Sequence, residues 1–159
     1  WFTVRLRVAY FTAPGAAMGP STDEAGSGPT PSVGRILVID DNLANRMIMG
    51  AMLEHFGFEM AEAGSAEQAL SMMAGGGFDA VMMDQTMPGM SGVEALRMIR
   101  TMPEPVRSLP VIPVTGRVTA QDRSAFAEAG ANGFIEKPVT ARAVREALAL
   151  AGLTGSATL

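Results

Sequence analysis

Four short strand-like runs in this chain end in polar groups of a narrow chemical kind. Ile36-Leu37-Val38-Ile39 runs into Asp40 and Asp41, Ala80-Val81-Met82-Met83 into Asp84, Val111-Ile112-Pro113-Val114 into Thr115, and Gly133-Phe134-Ile135-Glu136 into Lys137 and Pro138. Stretches of helical period separate the runs. Strands alternating with helices predict βα units and a parallel sheet. In such an open sheet the carboxyl ends of the strands gather along one edge, where ligands bind. Three carboxylates, one hydroxyl and one ammonium on that edge suit a hard cation and a phosphoryl group.

The bulk numbers narrow the class. A chain of 159 residues holds one ordinary domain with some tail left over, and 48% apolar residues supply a core. There is no cysteine, so disulfides and thiolate metal sites are excluded. A net charge of −4 offers no electrostatic footprint for nucleic acid. No apolar run approaches the 18 or so residues of a membrane span, and no signal peptide is visible. The first residue is Trp1 rather than Met, which reads as a piece of a longer protein. Lys137 is the single lysine, whereas arginine recurs throughout. A compact point charge at that one position, where a planar fork serves elsewhere, marks it as a candidate site residue.

Composition divides the chain. Residues 1–10 alternate polar and apolar, the period of a half-buried strand. Residues 11–34 are rich in Gly, Pro, Ala, Ser and Thr without periodicity, which predicts a flexible linker. Residues 35–151 carry the βα pattern, and 152–159 form a tail. Strands are expected at about 35–40, 59–63, 80–84, 110–115 and 133–136. Helices are expected at about 43–56, from 65 to the glycines at 75–77, at 92–102, from 119 to Gly130, and at 140–151. Asn42, Ser65 (with Gln68 three residues on), Ser91 and Thr119 stand where helix-capping side chains belong. Pro113 inside an interior strand lacks a ladder donor, which predicts a local irregularity or bulge.

The first, third and fourth strands are continuous apolar runs, as strands covered on both faces must be, whereas the second is more polar and suits an edge. Right-handed crossovers then give an α/β fold: a doubly wound five-stranded parallel sheet of order 2-1-3-4-5. The first strand lies beside the third, so Asp40, Asp41 and Asp84 meet at the switch point. Mg²⁺ takes about six oxygens and keeps several waters, and such carboxylates supply part of that shell. A central carboxylate such as Asp84 can also act as a nucleophile toward phosphorus.

Residues 35 to about 150 resemble the receiver domains of two-component signalling, with their flavodoxin-like fold. The resemblance rests on Val38-Ile39-Asp40-Asp41-Asn42, Met83-Asp84-Gln85-Thr86-Met87-Pro88-Gly89-Met90, Val114-Thr115-Gly116 and Phe134-Ile135-Glu136-Lys137-Pro138. It implies that Asp84 is the phosphoacceptor. It further implies that Asp41 binds Mg²⁺ directly, that Asp40 reaches it through water, and that the Thr86 backbone carbonyl is a further ligand. Thr115 matches the switch hydroxyl, Phe134 the switch aromatic, and Lys137 the lysine that pairs with the acceptor. The Lys137–Pro138 peptide is then expected to be cis. Ser91 departs from the family's frequent aspartate and Gly116 from its usual alanine; Arg117 and Thr86 occupy positions that tune phosphoryl lifetime. Such a domain is not itself a kinase but promotes phosphorylation of its own aspartate.

Trp1-Phe2-Thr3-Val4-Arg5-Leu6 resembles the last strand of a histidine-kinase ATP-binding domain, and Asn45-Arg46 after the acidic pair resembles hybrid-kinase receivers. Kinase remnant, linker and receiver together imply a hybrid sensor histidine kinase. Its kinase domain, in the same chain, is the expected donor, and a histidine phosphotransfer protein the expected onward partner. The expected location is cytoplasmic, whether or not the parent is membrane-anchored. His55 reads as a solvated helix-end residue favourable to the helix dipole, so the donor histidine lies elsewhere. In the first helix Leu43, Ile48, Leu53 and Phe56 are expected to face the sheet. Met47 and Met52 would then be left over, beside the active edge, as a docking face. Rival readings are a haloacid-dehalogenase-type phosphatase, a non-catalytic docking module, and a stand-alone or transcriptional response regulator. The first requires an aspartate two residues after Asp84, where this chain has Thr86.

Overall fold

The computed structural model describes residues 32–155, apart from Val118. The strand expected over 1–10 and nearly all of the linker expected over 11–34 lie outside the described residues. Within them, five strands and five helices alternate: β1 (Arg35–Ile39), α1 (Leu43–His55), β2 (Glu59–Ala63), α2 (Ala66–Ala74), β3 (Ala80–Asp84), α3 (Gly92–Thr101), β4 (Val111–Thr115), α4 (Ala120–Glu128), β5 (Ile135–Glu136) and α5 (Ala141–Leu150). A single 3-10 turn, Val106–Ser108, precedes β4. All strand pairs are parallel and the sheet order is β2-β1-β3-β4-β5, as the sequence predicts.

The pleat sorts the core into two layers, because successive side chains point to opposite faces. Leu37, Ile39, Val81, Met83 and Val111 meet Ala69 and Met73 of α2, Leu96 and Ile99 of α3, and Phe126 of α4. Ile36, Val38, Met82, Ile112 and Val114 meet Met49 and Leu53 of α1 and Val144 and Leu148 of α5. β1, β3 and β4 are thus buried throughout, save Arg35 at the start of β1, and apolar on both faces up to the closing Asp84 of β3 and Thr115 of β4, whereas Glu59 and Glu62 of edge strand β2 are exposed.

The helix starts follow the capping residues. Asn42, Ser65, Ser91 and Thr119 each accept a backbone N–H of the first turn. Ser91 with Glu94 and Thr119 with Asp122 form reciprocal boxes. At α2 Gln68 Oε1 accepts the Gly64 N–H instead. Gly92 is required by close approach: a Cβ there would stand 2.9 Å from the Asp84 carbonyl oxygen and 3.3 Å from the Phe126 ring. α3 therefore begins hard against the end of β3. Phe126 is the one buried residue of α4, so that helix is thinly anchored.

Three expectations need correction. β4 passes through Pro113 with unbroken pairing to β3 and no bulge. The carbonyls of Pro110 and Val114 turn toward β3, whereas those of Val111 and Thr115 turn toward the β5 side. By this alternation Pro113 directs its missing donor to the β5 side, away from the long β3–β4 ladder. β5 is also shorter than predicted, starting at Ile135 rather than Gly133. Finally, Leu43 and Ile48 of α1 are 55% and 51% exposed, while Met49 and Gly50 face the sheet with Leu53. A helix can bury one stripe only, and the Met49-Gly50-Leu53 spacing of three and four residues defines it. Met47 is exposed, as expected.

Candidate functional site at the carboxyl edge of the sheet

Among the described residues, only three polar or charged side chains belong to the buried set: Asp40, Asp84 and Thr115. They close β1, β3 and β4 on the same edge. Lys137, just past β5, reaches back to them. Its ammonium lies 3.3 Å from Asp84 Oδ1 and 3.4 Å from Asp40 Oδ2. The Lys137–Pro138 peptide is cis, as the resemblance implies; the Glu104–Pro105 peptide is cis as well.

The two buried carboxylates are held differently. Asp40 Oδ1 accepts the Asn42 N–H at 2.8 Å, and both its oxygens accept the Asn45 amide at 3.2 and 3.0 Å. Arg46 fixes the Asp40 carbonyl at 2.8 Å and bridges to Glu62 at 3.1 Å. Asp84 has far less. The Thr86 N–H donates to its Oδ1 at a long 3.4 Å, and among the described residues Lys137 supplies the only cation. Burial therefore holds the Asp84 carboxyl above the usual carboxylate range; Lys137 pulls it down, and the Asp40 charge pushes it up again.

Asp41 is exposed beside this pair, and one oxygen each from Asp40, Asp41 and Asp84 lie within 4.8 Å of one another. The ligand oxygens of an octahedral Mg²⁺ stand about 3 Å apart along an edge and about 4 Å across the ion. The three carboxylates fit such an ion with little movement, and hard oxygen donors are what it prefers. The Thr86 N–H bond folds the loop after β3 back onto Asp84, which keeps the Thr86 backbone near the same edge.

Thr115 lies on this edge but does not aim at Asp84. Its hydroxyl donates to Gln85 Oε1 at 2.6 Å, and the Gln85 amide donates to Asp122 Oδ1 of α4 at 2.9 Å. Phe134 is half-buried, edge-on to Phe126 at 5.8 Å, with the Arg123 guanidinium 5.9 Å from its ring centre. Beside Lys137 a cavity of about 220 Å³ opens between Asp40, Asn45, Ile48, Val114 and Pro138. Ile48 is exposed at its rim, and Leu43 and Met47 of the same helix are exposed as well.

The family description "Response regulator receiver domain" matches residues 36–149. This chain belongs to the receiver domain family. The receiver is 40% identical over 116 residues to the sensory/regulatory protein RpfC of Xanthomonas campestris pv. campestris, covering 72% of this chain and 16% of that protein. It is 38% identical over 113 residues to the chemotaxis protein CheY of Pseudomonas aeruginosa, covering 70% of this chain and 90% of that one. The receiver domain of a sensor histidine kinase from the latter organism, solved with a magnesium ion coordinated in its active-site cleft, superposes with a TM-score of 0.68 at 29% identity. That match covers 75% of this chain and 98% of the solved one.

Every predicted site residue of the receiver thus lies on one edge or close behind it. The sequence reading passed over the Asn45 and Arg46 contacts to Asp40, although Asn45-Arg46 was visible as a pattern. It also missed Gln85 and Asp122, which meet across 37 residues with no local signal. Among the described residues no helix is long and apolar enough to cross a membrane.

Proposed function

We propose that this receiver is the phosphoacceptor of a phosphorelay, taking a phosphoryl group from a phosphohistidine onto Asp84 with Mg²⁺, within a hybrid sensor histidine kinase. The observation that carries the reading is the buried pair Asp84 and Asp40 sharing the single lysine of the chain, Lys137. A carboxylate this poorly hydrogen-bonded is left open to attack phosphorus.

An Asp84 oxygen attacks the phosphorus, and the new O–P bond forms as the P–N bond to the imidazole breaks. The imidazole leaves with the electron pair and takes a proton from solvent. Lys137 offsets charge on the phosphoryl oxygens. Bound Mg²⁺, held by Asp41 and Asp84, by Asp40 through water and by the Thr86 carbonyl, would neutralise those same oxygens. Asn45 and Arg46 keep Asp40 in register for that role. After transfer, the Thr115 hydroxyl turns toward a phosphoryl oxygen and Phe134 moves inward against Phe126, shifting the population of the α4–β5–α5 face.

The hybrid-kinase context is supported by the likeness to the receiver domain of a sensor histidine kinase from Pseudomonas aeruginosa; this chain spans about a sixth of the length of RpfC. The apolar Leu43, Met47 and Ile48 beside the site suit a helical phosphotransfer partner. The match over 90% of CheY favours a second reading, a stand-alone response regulator with the same chemistry.

Intact mass after incubation with acetyl phosphate and Mg²⁺ tests the acceptor. One phosphoryl group gained by the wild type and none by Asp84→Asn is the expected result. Gain in neither, with no response to beryllofluoride, would leave a docking module. Transfer from a phosphorylated histidine kinase domain then separates relay from small-molecule phosphorylation.

A further inference from the structure

We infer that Gln85 is a positioning residue that holds the Thr115 hydroxyl off the acceptor and ties its release to the first turn of α4. The inference rests on the phosphoacceptor reading above and concerns a residue with no part in holding metal or phosphate.

Hydrogen-bond chemistry fixes the direction of the chain of contacts. An ionised carboxylate only accepts, so at 2.9 Å from Asp122 Oδ1 the Gln85 group must be the NH₂. The other end of the amide is therefore the carbonyl oxygen, 2.6 Å from Thr115 Oγ1. A carbonyl oxygen cannot donate, so the single hydroxyl hydrogen of Thr115 is committed to Gln85. Asp122 stays ionised here, because the Thr119 hydroxyl and N–H, and then Gln85, hold its carboxyl below the usual range. The Thr115 contact to the Arg117 carbonyl, at 3.3 Å, is the weaker alternative.

Thr115 is buried, so its hydroxyl cannot trade this partner for bulk water. Turning toward a phosphoryl oxygen costs the Gln85 bond and leaves Gln85 Oε1 short of a donor. Gln85 then swings or gives up Asp122, which is the third residue of α4 and half of its capping box. The opposite oxygen of Asp122 accepts both the Thr119 N–H and the Thr119 hydroxyl. α4 has one buried residue, so a change at its cap is weakly opposed by packing. The backbone around Gln85 is meanwhile pinned: its N–H donates to Val114 O and its carbonyl accepts from Gly92 N. The side chain moves on a rigid mount.

The test is a beryllofluoride titration of the ¹⁵N-labelled full chain with excess Mg²⁺, for the wild type, Gln85→Met, Gln85→Ala and Thr119→Ala. A neutral hydrogen bond is ordinarily worth roughly a two- to tenfold change in an equilibrium. Half-saturating beryllofluoride is expected to fall by about that factor in both Gln85 variants. Mg²⁺ affinity should be unchanged, and the amides of residues 120–122 should shift, before any ligand, toward their positions in the liganded wild type. If Gln85→Ala loses a dispersed spectrum, Gln85→Met, which keeps the side-chain length, carries the measurement. Thr119→Ala removes the capping hydroxyl and leaves the Gln85–Thr115 bond, so its gain should be smaller than that of the Gln85 variants. Unchanged or weaker beryllofluoride binding in the Gln85 variants, or an equal gain in Thr119→Ala, would overturn the inference while leaving the acceptor intact. A wild type that takes no beryllofluoride at all would overturn the acceptor reading and the restraint with it.

Discussion

The two edges of the sheet handle buried charge in opposite ways. At the amino edge Arg100 of α3 is half-buried, with both terminal nitrogens occupied. Its Nη1 donates to the carbonyls of Arg107 and Leu109 at 2.8 and 2.9 Å, and its Nη2 to the Gly130 carbonyl at 2.7 Å and to Asn132 Oδ1 at 3.2 Å. Every one of these partners is neutral. Burial alone draws the guanidinium pKa down from its ordinary value. At the carboxyl edge two buried carboxylates share one ammonium at 3.3 and 3.4 Å, and Asp84 is left poorly solvated. A cation satisfied by fixed carbonyls is a clamp that closes the α3, β4 and β5 ends together. Carboxylates under-supplied with donors are a site waiting for positive charge.

Exchanging the roles of the two edges should be impossible, and mutation makes that measurable. The largest effect is chemical. Asp84→Asn should abolish phosphoryl incorporation from acetyl phosphate altogether, while the far-ultraviolet circular dichroism stays that of the wild type. Incorporation surviving in that variant would place the acceptor elsewhere. Arg100→Ala should do the reverse. It leaves the carbonyls of Arg107, Leu109 and Gly130 short of a donor, at a cost of about 2–3 kcal/mol in denaturant unfolding. Phosphoryl incorporation well below the melting temperature should match the wild type. Loss of incorporation in folded Arg100→Ala would mean that the amino edge positions the site rather than merely closing the sheet.

The carboxyl edge was legible in the sequence because each of its residues closes a strand, and a strand end is where an apolar period stops. The chemistry of Asp40, Asp84, Thr115 and Lys137 then needed no contact information. Arg100 was invisible, since an arginine on a helix looks the same whether it faces water or four acceptors. Pro113 misled for a related reason. Its cost depends on which neighbour its missing N–H faces, a parity that only the strand order and register reveal. Leu43 and Ile48 misled because α1 is apolar on its outward face as well as its inward one, so hydrophobicity could not choose between the two. Gln85 lies next to Asp84 in sequence, yet its meaning comes from Thr115 and Asp122, 30 and 37 residues away. Local pattern locates reacting groups better than it locates whatever restrains them.

The subtlest consequence of the contrast is a pH dependence confined to the carboxyl edge. Without Mg²⁺ the native Asp84 carboxyl holds its proton to a higher pH than its ordinary value of 3.8, chiefly because it is buried. The unfolded chain releases that proton first. Between the two pKa values the native state binds more protons than the unfolded one, so stability falls as pH rises. Above the raised native pKa the loss is complete and level. The Asp84→Asn side chain cannot ionise and escapes this loss. The variant should therefore match the wild type near pH 3.5, become the more stable protein as pH rises, and keep a constant lead above the native pKa. Adding Mg²⁺ at neutral pH should close the gap. Binding to the native carboxylates raises wild-type stability by about 1.4 kcal/mol at ten times Kd, and Asp84→Asn, short of a ligand, gains less. Parallel curves for the two proteins, with and without Mg²⁺, would mean that Asp84 is no more strained than an exposed carboxylate. The difference between the edges would then be one of geometry alone.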